Sequence, residues 1–179
     1  MVLTYKELID LFGNDYQIKK HIAEGDVYKI CDGYYTPGDF SPIELLVKKF
    51  PNSVFSFTTA LFFHGLIREI PNPYYLTSKK DSTRIKDDNV IQLFSSQKSL
   101  FDNVSLIFYD GIQLMVYSKE KTLVSLVKNR NKISPALYHE AVVSYRKIST
   151  SLNMHTLNTL INKEKNKTKI REIISREIL

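Results

Sequence analysis

The sequence predicts an α+β fold: an N-terminal winged helix-turn-helix, then a small mixed sheet packed with helices, then a helical C-terminal part. Three observations predict it. Two short amphipathic patterns separated by Gly13-Asn14 run into a hairpin signal at Asp32-Gly33. Further on, short strand-like runs culminate in a second Asp-Gly turn, Asp110-Gly111. From Ser118 the apolar period lengthens from two to about 3.6 residues, the helical repeat.

In the first segment Leu8, Ile9, Leu11 and Phe12 give a helix one apolar side. Thr4 can cap its start, because a hydroxyl accepts a free backbone N–H there. Gly13-Asn14 breaks the helix. Ile18 and Ile22, four residues apart, are expected to form the buried edge of a second helix, which Gly25 closes. Val27–Cys31 and Tyr34–Thr36 then flank Asp32-Gly33, a strong signal for a tight hairpin. Helix, turn, helix and hairpin in this order is the plan of a winged helix, which usually places its second helix in the DNA major groove.

Pro37-Gly38-Asp39 reads as a linker, dividing residues 1–38 from residues 39–179. Ser41-Pro42 starts a helix running to Phe50, with a hydroxyl cap and a proline whose missing N–H costs nothing in a first turn. Val54–Phe57 reads as a short strand and Thr58–Gly65 as a short buried helix. Strands are expected at Tyr74–Thr77, Val90–Phe94, Ser105–Tyr109 and Ile112–Tyr117, with the charged run Lys79–Asp88 as a solvated loop. Four apolar stripes follow: Thr122, Leu123, Leu126 and Val127; Ala136, Leu137, Ala141 and Val142; Leu152, Leu157, Leu160 and Ile161; and Ile170, Ile173, Ile174 and Ile178.

With 179 residues and 43% hydrophobic content, the chain is long enough to bury a substantial core. A single cysteine, Cys31, excludes an internal disulfide and favours a cytoplasmic location. No stretch has the length and apolarity of a signal core or a bilayer span, so no membrane association is expected. The net charge of +6 favours a polyanionic partner. Its distribution is uneven. Up to Asp39 seven acidic residues face four lysines, whereas the positive excess lies after Lys119.

No active-site motif emerges. The sequence lacks a G-x-S-x-G elbow, a P-loop and a glycine-rich dinucleotide fingerprint. His21, His64, His139 and His155 are far apart, and with one cysteine no zinc spacing forms. No catalytic residue, metal or cofactor is therefore expected. His64, after an apolar helix and before Gly65, reads as a packed or capping histidine.

The outward positions of the second helix, Tyr16, Gln17, Lys19, Lys20 and His21, carry types suited to a groove, since Gln reads adenine edges and Lys meets guanine or phosphate. Lys29 on the hairpin can touch backbone phosphate. A solvated helix face would show the same residue types, and both readings stand. Tyr28, Tyr34, Tyr35, Tyr74 and Tyr75 offer stacking surfaces, although strand tyrosines more often fill half-buried sheets.

Taken in order along the chain, these features resemble the AbiEi family, the antitoxins and transcriptional regulators of type IV abortive-infection toxin–antitoxin systems in bacteria. Gly25, Val27, Lys29, Ile30, Gly33 and Tyr35 match that family's wing. Thr59, Ala60, Leu61, His64, Gly65 and Leu66 match its middle box, and Pro71 precedes a strand ending in Thr77. Ser118, Glu120, Lys121, Thr122, Leu123, Val124 and Leu126 match the start of its helical region. Ser125 stands where the family carries an acid, and the chain is short for the family. The resemblance implies repression of the chain's own promoter, through double-stranded DNA with inverted repeats. It also implies that a nucleotidyltransferase toxin is countered without a stable complex. The basic C-terminal residues Lys128, Arg130, Lys132, Lys163 and Lys167 are then expected to hold DNA that the winged helix reads. Two other readings compete: a winged-helix module for protein interaction, favoured by the acidic first segment, and an enzyme hidden in the middle sheet.

Overall fold

Thr4 ends a two-residue strand, β1 (Leu3–Thr4), and caps helix α1 (Tyr5–Phe12) in the computed structural model, which describes residues 1–96 and 98–179. Its hydroxyl accepts the Glu7 N–H at 3.3 Å, while the Glu7 carboxylate accepts the Thr4 N–H at 2.7 Å. This reciprocal capping box satisfies two N–H groups that a helix start leaves open. Asn14 caps α2 (Asp15–Glu24) by accepting the Gln17 N–H at 3.0 Å. Gly25 ends α2 in the left-handed region, φ 81°, where a side chain would be strained.

The hairpin forms from β2 (Tyr28–Cys31) and β3 (Tyr34–Thr36). Gly33, at φ 82°, takes the turn position that demands a positive φ. β3 also pairs antiparallel with β1, Leu3 opposite Tyr35, giving a three-stranded sheet of order β1-β3-β2. Leu3, Leu8, Ile18 and Val27 form the core of this unit, with Ile9, Phe12 and Tyr35 packed against it.

Two expectations change here. Ile22 does not share the buried edge with Ile18: Ile18 is 2% exposed and Ile22 37%. The inward place one turn beyond Ile18 is taken by His21, whose ring stacks on Phe12 at 4.3 Å. On a helix both i+3 and i+4 neighbour residue i, and the aromatic partner across the turn favours i+3. The N-terminal unit also extends beyond Gly38, to Asn52. Helix α3 (Pro42–Lys49) belongs to it because Glu44 accepts the Val2 N–H at 2.7 Å and Lys48 reaches the Glu7 carboxylate at 2.7 Å.

The second unit, Ser53–Leu179, is mixed α and β. Its strands are β4 (Val54–Phe55), β5 (Tyr74–Lys79), β6 (Val90–Ser95), β7 (Val104–Tyr109) and β8 (Ile112–Tyr117). They form a sheet of order β6-β5-β4-β8-β7, in which β5–β6 and β4–β8 are parallel and the other pairs antiparallel. Helix α4 (Phe57–Phe63) follows β4, and α5 (Lys119–Lys128), α6 (Pro135–Ile148), α7 (Met154–Asn162) and α8 (Lys167–Glu177) follow β8. Short 3-10 turns lie at Arg130–Lys132 and Ser149–Ser151.

The main core gathers Leu61, Leu123, Leu126, Tyr145, Leu157 and Ile174, contributed by five helices. The stripes expected on α5 and α8 are buried throughout, whereas Ala136, in the first turn of α6, is exposed. Lys79 belongs to β5 rather than to the following loop, paired across to Ser95. Among the described residues, no helix is long and apolar enough to cross a membrane.

The Glu7 network yields a test. Hydrogen bonds from Lys48 and from the Thr4 N–H hold the Glu7 carboxyl down at about 2, below its ordinary 4.5. A depressed carboxylate stabilises the fold above its unfolded pKa, and that contribution disappears as pH falls from 4.5 toward 2. Glu7→Gln is expected to lower stability at neutral pH by about 1 kcal/mol, the scale of a lost cap plus an exposed ion pair. The loss should narrow on acidification, as checked by urea midpoints of both proteins at neutral and acidic pH.

Candidate functional site

Helix α2 packs through Ile18 and presents its opposite side to solvent, with Tyr16 73% exposed and Lys19 and Lys20 beside it. Gln17 is half-buried. The bases on this face are paired locally. Lys19 meets Asp15 at 2.7 Å, Lys20 meets Glu24 at 3.8 Å, and Lys29 on the hairpin meets Asp32 at 2.6 Å. The Asp15 and Asp32 carboxylates hold the ammonium groups of Lys19 and Lys29 above their ordinary range. All these pairs are exposed, so each contributes little to stability and a phosphate can replace the carboxylate at small cost.

His21 departs from the outward position expected of it. Besides stacking on Phe12, its Nδ1 lies 2.9 Å from Asp26, and Glu24 stands nearby. His21, Glu24 and Asp26 bring three ligand atoms within 4.8 Å of one another, a cluster that only the turn after α2 creates. The two carboxylates are exposed, and the Asp26 contact to His21 is accounted for as a tie across the end of the helix.

In the second unit the five basic residues expected to grip DNA do not form one row. Lys128 and Lys163 line a common cavity, while Arg130 lines a neighbouring depression with Lys128 and Lys169. Lys132 in the 3-10 turn and Lys167 at the start of α8 are exposed and line neither. Lys128 is paired with Glu164 at 2.7 Å.

The cavity, about 340 Å³, lies between β5, β6 and β8 on one side and α5 and α7 on the other. Tyr117, 6% exposed, forms part of its wall. Its hydroxyl has no hydrogen-bond partner among the described residues. Burial pushes this phenol up to about 12, and Thr77 and Ser95 beside it offset part of that shift without making a sound hydrogen bond. A buried hydroxyl left unsatisfied costs roughly 1–3 kcal/mol. The Lys121 ammonium lies 3.6 Å from the Tyr117 ring centre and donates to the backbone carbonyls of Ser99 at 3.0 Å and Asp102 at 2.8 Å. Burial lowers Lys121 to about 8; the Asp102 carboxylate opposes that shift, and the nearby Lys163 ammonium adds to it. In the sequence, Tyr117 ends a strand and Lys121 lies in the first turn of the following helix. The only signal for their meeting was the short Tyr117–Lys121 spacing at a strand-to-helix junction.

Thr59 and His64 prove to be joints of the fold. Thr59 Oγ1 accepts the Tyr75 N–H at 2.8 Å, and His64 Nε2 lies 2.7 Å from the Tyr117 carbonyl. Since a carbonyl only accepts, the His64 ring donates through Nε2–H, and burial favours its neutral form.

Comparison with known proteins adds the fold. The chain is similar to the crystal structure of the RV2827C protein from Mycobacterium tuberculosis, with a TM-score of 0.72 at 12% sequence identity, over 98% of this chain and 71% of that one. At that identity the likeness concerns the fold alone. No protein-family model matches the chain, and no curated protein matches it in sequence.

His64 supplies a pH test. Burial lowers its pKa below the ordinary 6.5, outweighing the favourable carbonyl contact. The unfolded chain therefore takes up the proton first, and stability is lost as pH falls below 6.5. An NMR titration of the histidines should show His64 as the Nε2–H tautomer, titrating at lower pH than 6.5. His64→Ala should remove that part of the acid dependence.

Proposed function

We propose that the first unit is a winged helix that reads double-stranded DNA through α2, and that the chain is an autorepressor. The observation that carries this reading is the arrangement of α2. It is packed through Ile18, exposed through Tyr16, Lys19 and Lys20, and followed directly by the β2–β3 hairpin. The sheet order β1-β3-β2, with two helices between β1 and β2, supports it, because that topology leaves the second helix and the hairpin tip free to meet one duplex. The first unit carries six Lys and Arg against eight Asp and Glu, and the second nineteen against eleven. On this reading the second unit supplies much of the phosphate attraction, through residues such as Lys132 and Lys167. With the AbiEi resemblance, the chain is further proposed to act as an antitoxin in a type IV abortive-infection system, opposing a nucleotidyltransferase toxin.

Anisotropy titrations of the full chain on DNA from its own promoter, across a salt series, test the DNA reading. Tyr16→Ala/Lys19→Ala/Lys20→Ala is expected to weaken binding at least about tenfold without changing the thermal melt. It should also reduce the salt slope by about 2, since each lost phosphate contact removes about 0.9. Lys132→Gln/Lys167→Gln should flatten the slope to a similar extent. No binding by the unaltered chain at low salt would instead favour a protein-interaction module, the reading that the acidic balance of the first unit supports.

The antitoxin reading is tested separately. Co-expression with a nucleotidyltransferase toxin of a type IV abortive-infection system should restore growth that the toxin alone arrests. Continued arrest would refute it.

A further inference from the structure

The cavity of the second unit has the features of a built anion site. Lys121 is fixed at its edge by two backbone carbonyls, at 3.0 and 2.8 Å, which use two of its three N–H donors and leave one for a ligand. Lys163 lines the same space, is exposed, and makes no ion pair among the described residues. The Asp102 carboxylate also lines the cavity and offsets part of the Lys121 charge, but with Lys163 alongside, the site keeps a positive excess that a bound anion relieves. The neighbouring carboxylate of Glu164 is already engaged by Lys128 at 2.7 Å, so it does not cancel the pair. Ser125, uncharged, faces the same space.

An independent observation points the same way. Tyr117 is more than nine-tenths buried, lines the cavity, and keeps a hydroxyl with no partner among the described residues. The Lys121 ammonium, 3.6 Å from the centre of the same ring, is close enough for one tetrahedral oxyanion to meet both groups. One patch of the wall is apolar, formed by Phe94, 44% exposed, with Leu93, Val124 and Leu160, beside polar neighbours such as Ser95, Asn103 and Asn129. A volume of about 340 Å³ falls within the range of small-molecule sites.

We propose that this cavity binds a small phosphomonoester with a flat apolar body, of the nucleoside monophosphate class. Its phosphate lies between Lys121 and Lys163 and accepts from the Tyr117 hydroxyl, and its body lies against Phe94 and Leu160. The site belongs to the second unit alone and stands whether or not the first unit binds DNA.

Calorimetric titration of the full chain, without DNA, tests the assignment with three probes: AMP, inorganic phosphate and adenosine. AMP is expected to bind at least about tenfold more tightly than either half alone, since both walls contribute. Lys163→Gln should weaken AMP about fivefold or more, and Tyr117→Phe should weaken it to a similar extent without lowering the stability of the ligand-free chain. Tyr117→Phe keeps the ring under Lys121 and removes only the unpartnered oxygen, so a folding defect does not confuse the result. Absence of AMP binding, or AMP affinity unchanged in both variants, would overturn the proposal. Equal affinity for AMP and inorganic phosphate would overturn the apolar half of it.

Discussion

Burial of helix α5 is the constraint on which the second unit depends. Thr122, Leu123, Val124, Leu126 and Val127 are buried, and the helix packs against α4, α7 and α8. A ten-residue helix is marginal alone in water, so its stability comes from this packing. Its polar residues tie it to separate segments. Ser118 caps it, Glu120 accepts the Asn153 N–H, Lys121 holds the Ser99 and Asp102 carbonyls, and Thr122 donates to the Tyr117 carbonyl. The buried Tyr145 hydroxyl donates to the Lys119 carbonyl from α6. One short run therefore joins the sheet to the helical layer, and the edge of α5 not used for packing walls the cavity.

The first unit relies on a different balance. Its core is small, essentially Leu3, Leu8, Ile18 and Val27 with their half-buried neighbours. Polar ties supplement it: the Thr4–Glu7 capping box, the Lys48–Glu7 pair, and the Tyr5 hydroxyl donated to Asp15. The acidity of this segment is thus partly structural, since Glu7 and Glu44 hold α3 and the N-terminal strand in place. Asp15 and Glu24 instead pair with exposed lysines of α2, and Asp32 with Lys29 of the hairpin, so these surfaces are close to neutral.

Several residues singled out in the sequence acquire physical meaning from this geometry. Gly25 and Gly33 occupy backbone that requires a positive φ, while Thr59 and His64 satisfy backbone groups of the sheet. Residues that are recognisable in order along the chain are therefore mostly those that fix its turns and junctions. Joints of this kind secure a fold and leave chemistry open.

The sequence by itself determined the local elements. Capping residues, Asp-Gly turns and the change of apolar period marked both hairpins and most helices, because these signals act within a few residues. It also determined the uneven charge and the buried faces of α5 and α8. Tertiary structure alone decided which of two adjacent residues on α2 turns inward, since Phe12 selects His21 over Ile22. It alone joined α3 to the first unit, through pairs separated by some forty residues. It alone brought Tyr117, Lys121 and Lys163 around one cavity, because distances between a strand, a helix and the end of another helix are set by packing rather than by sequence spacing.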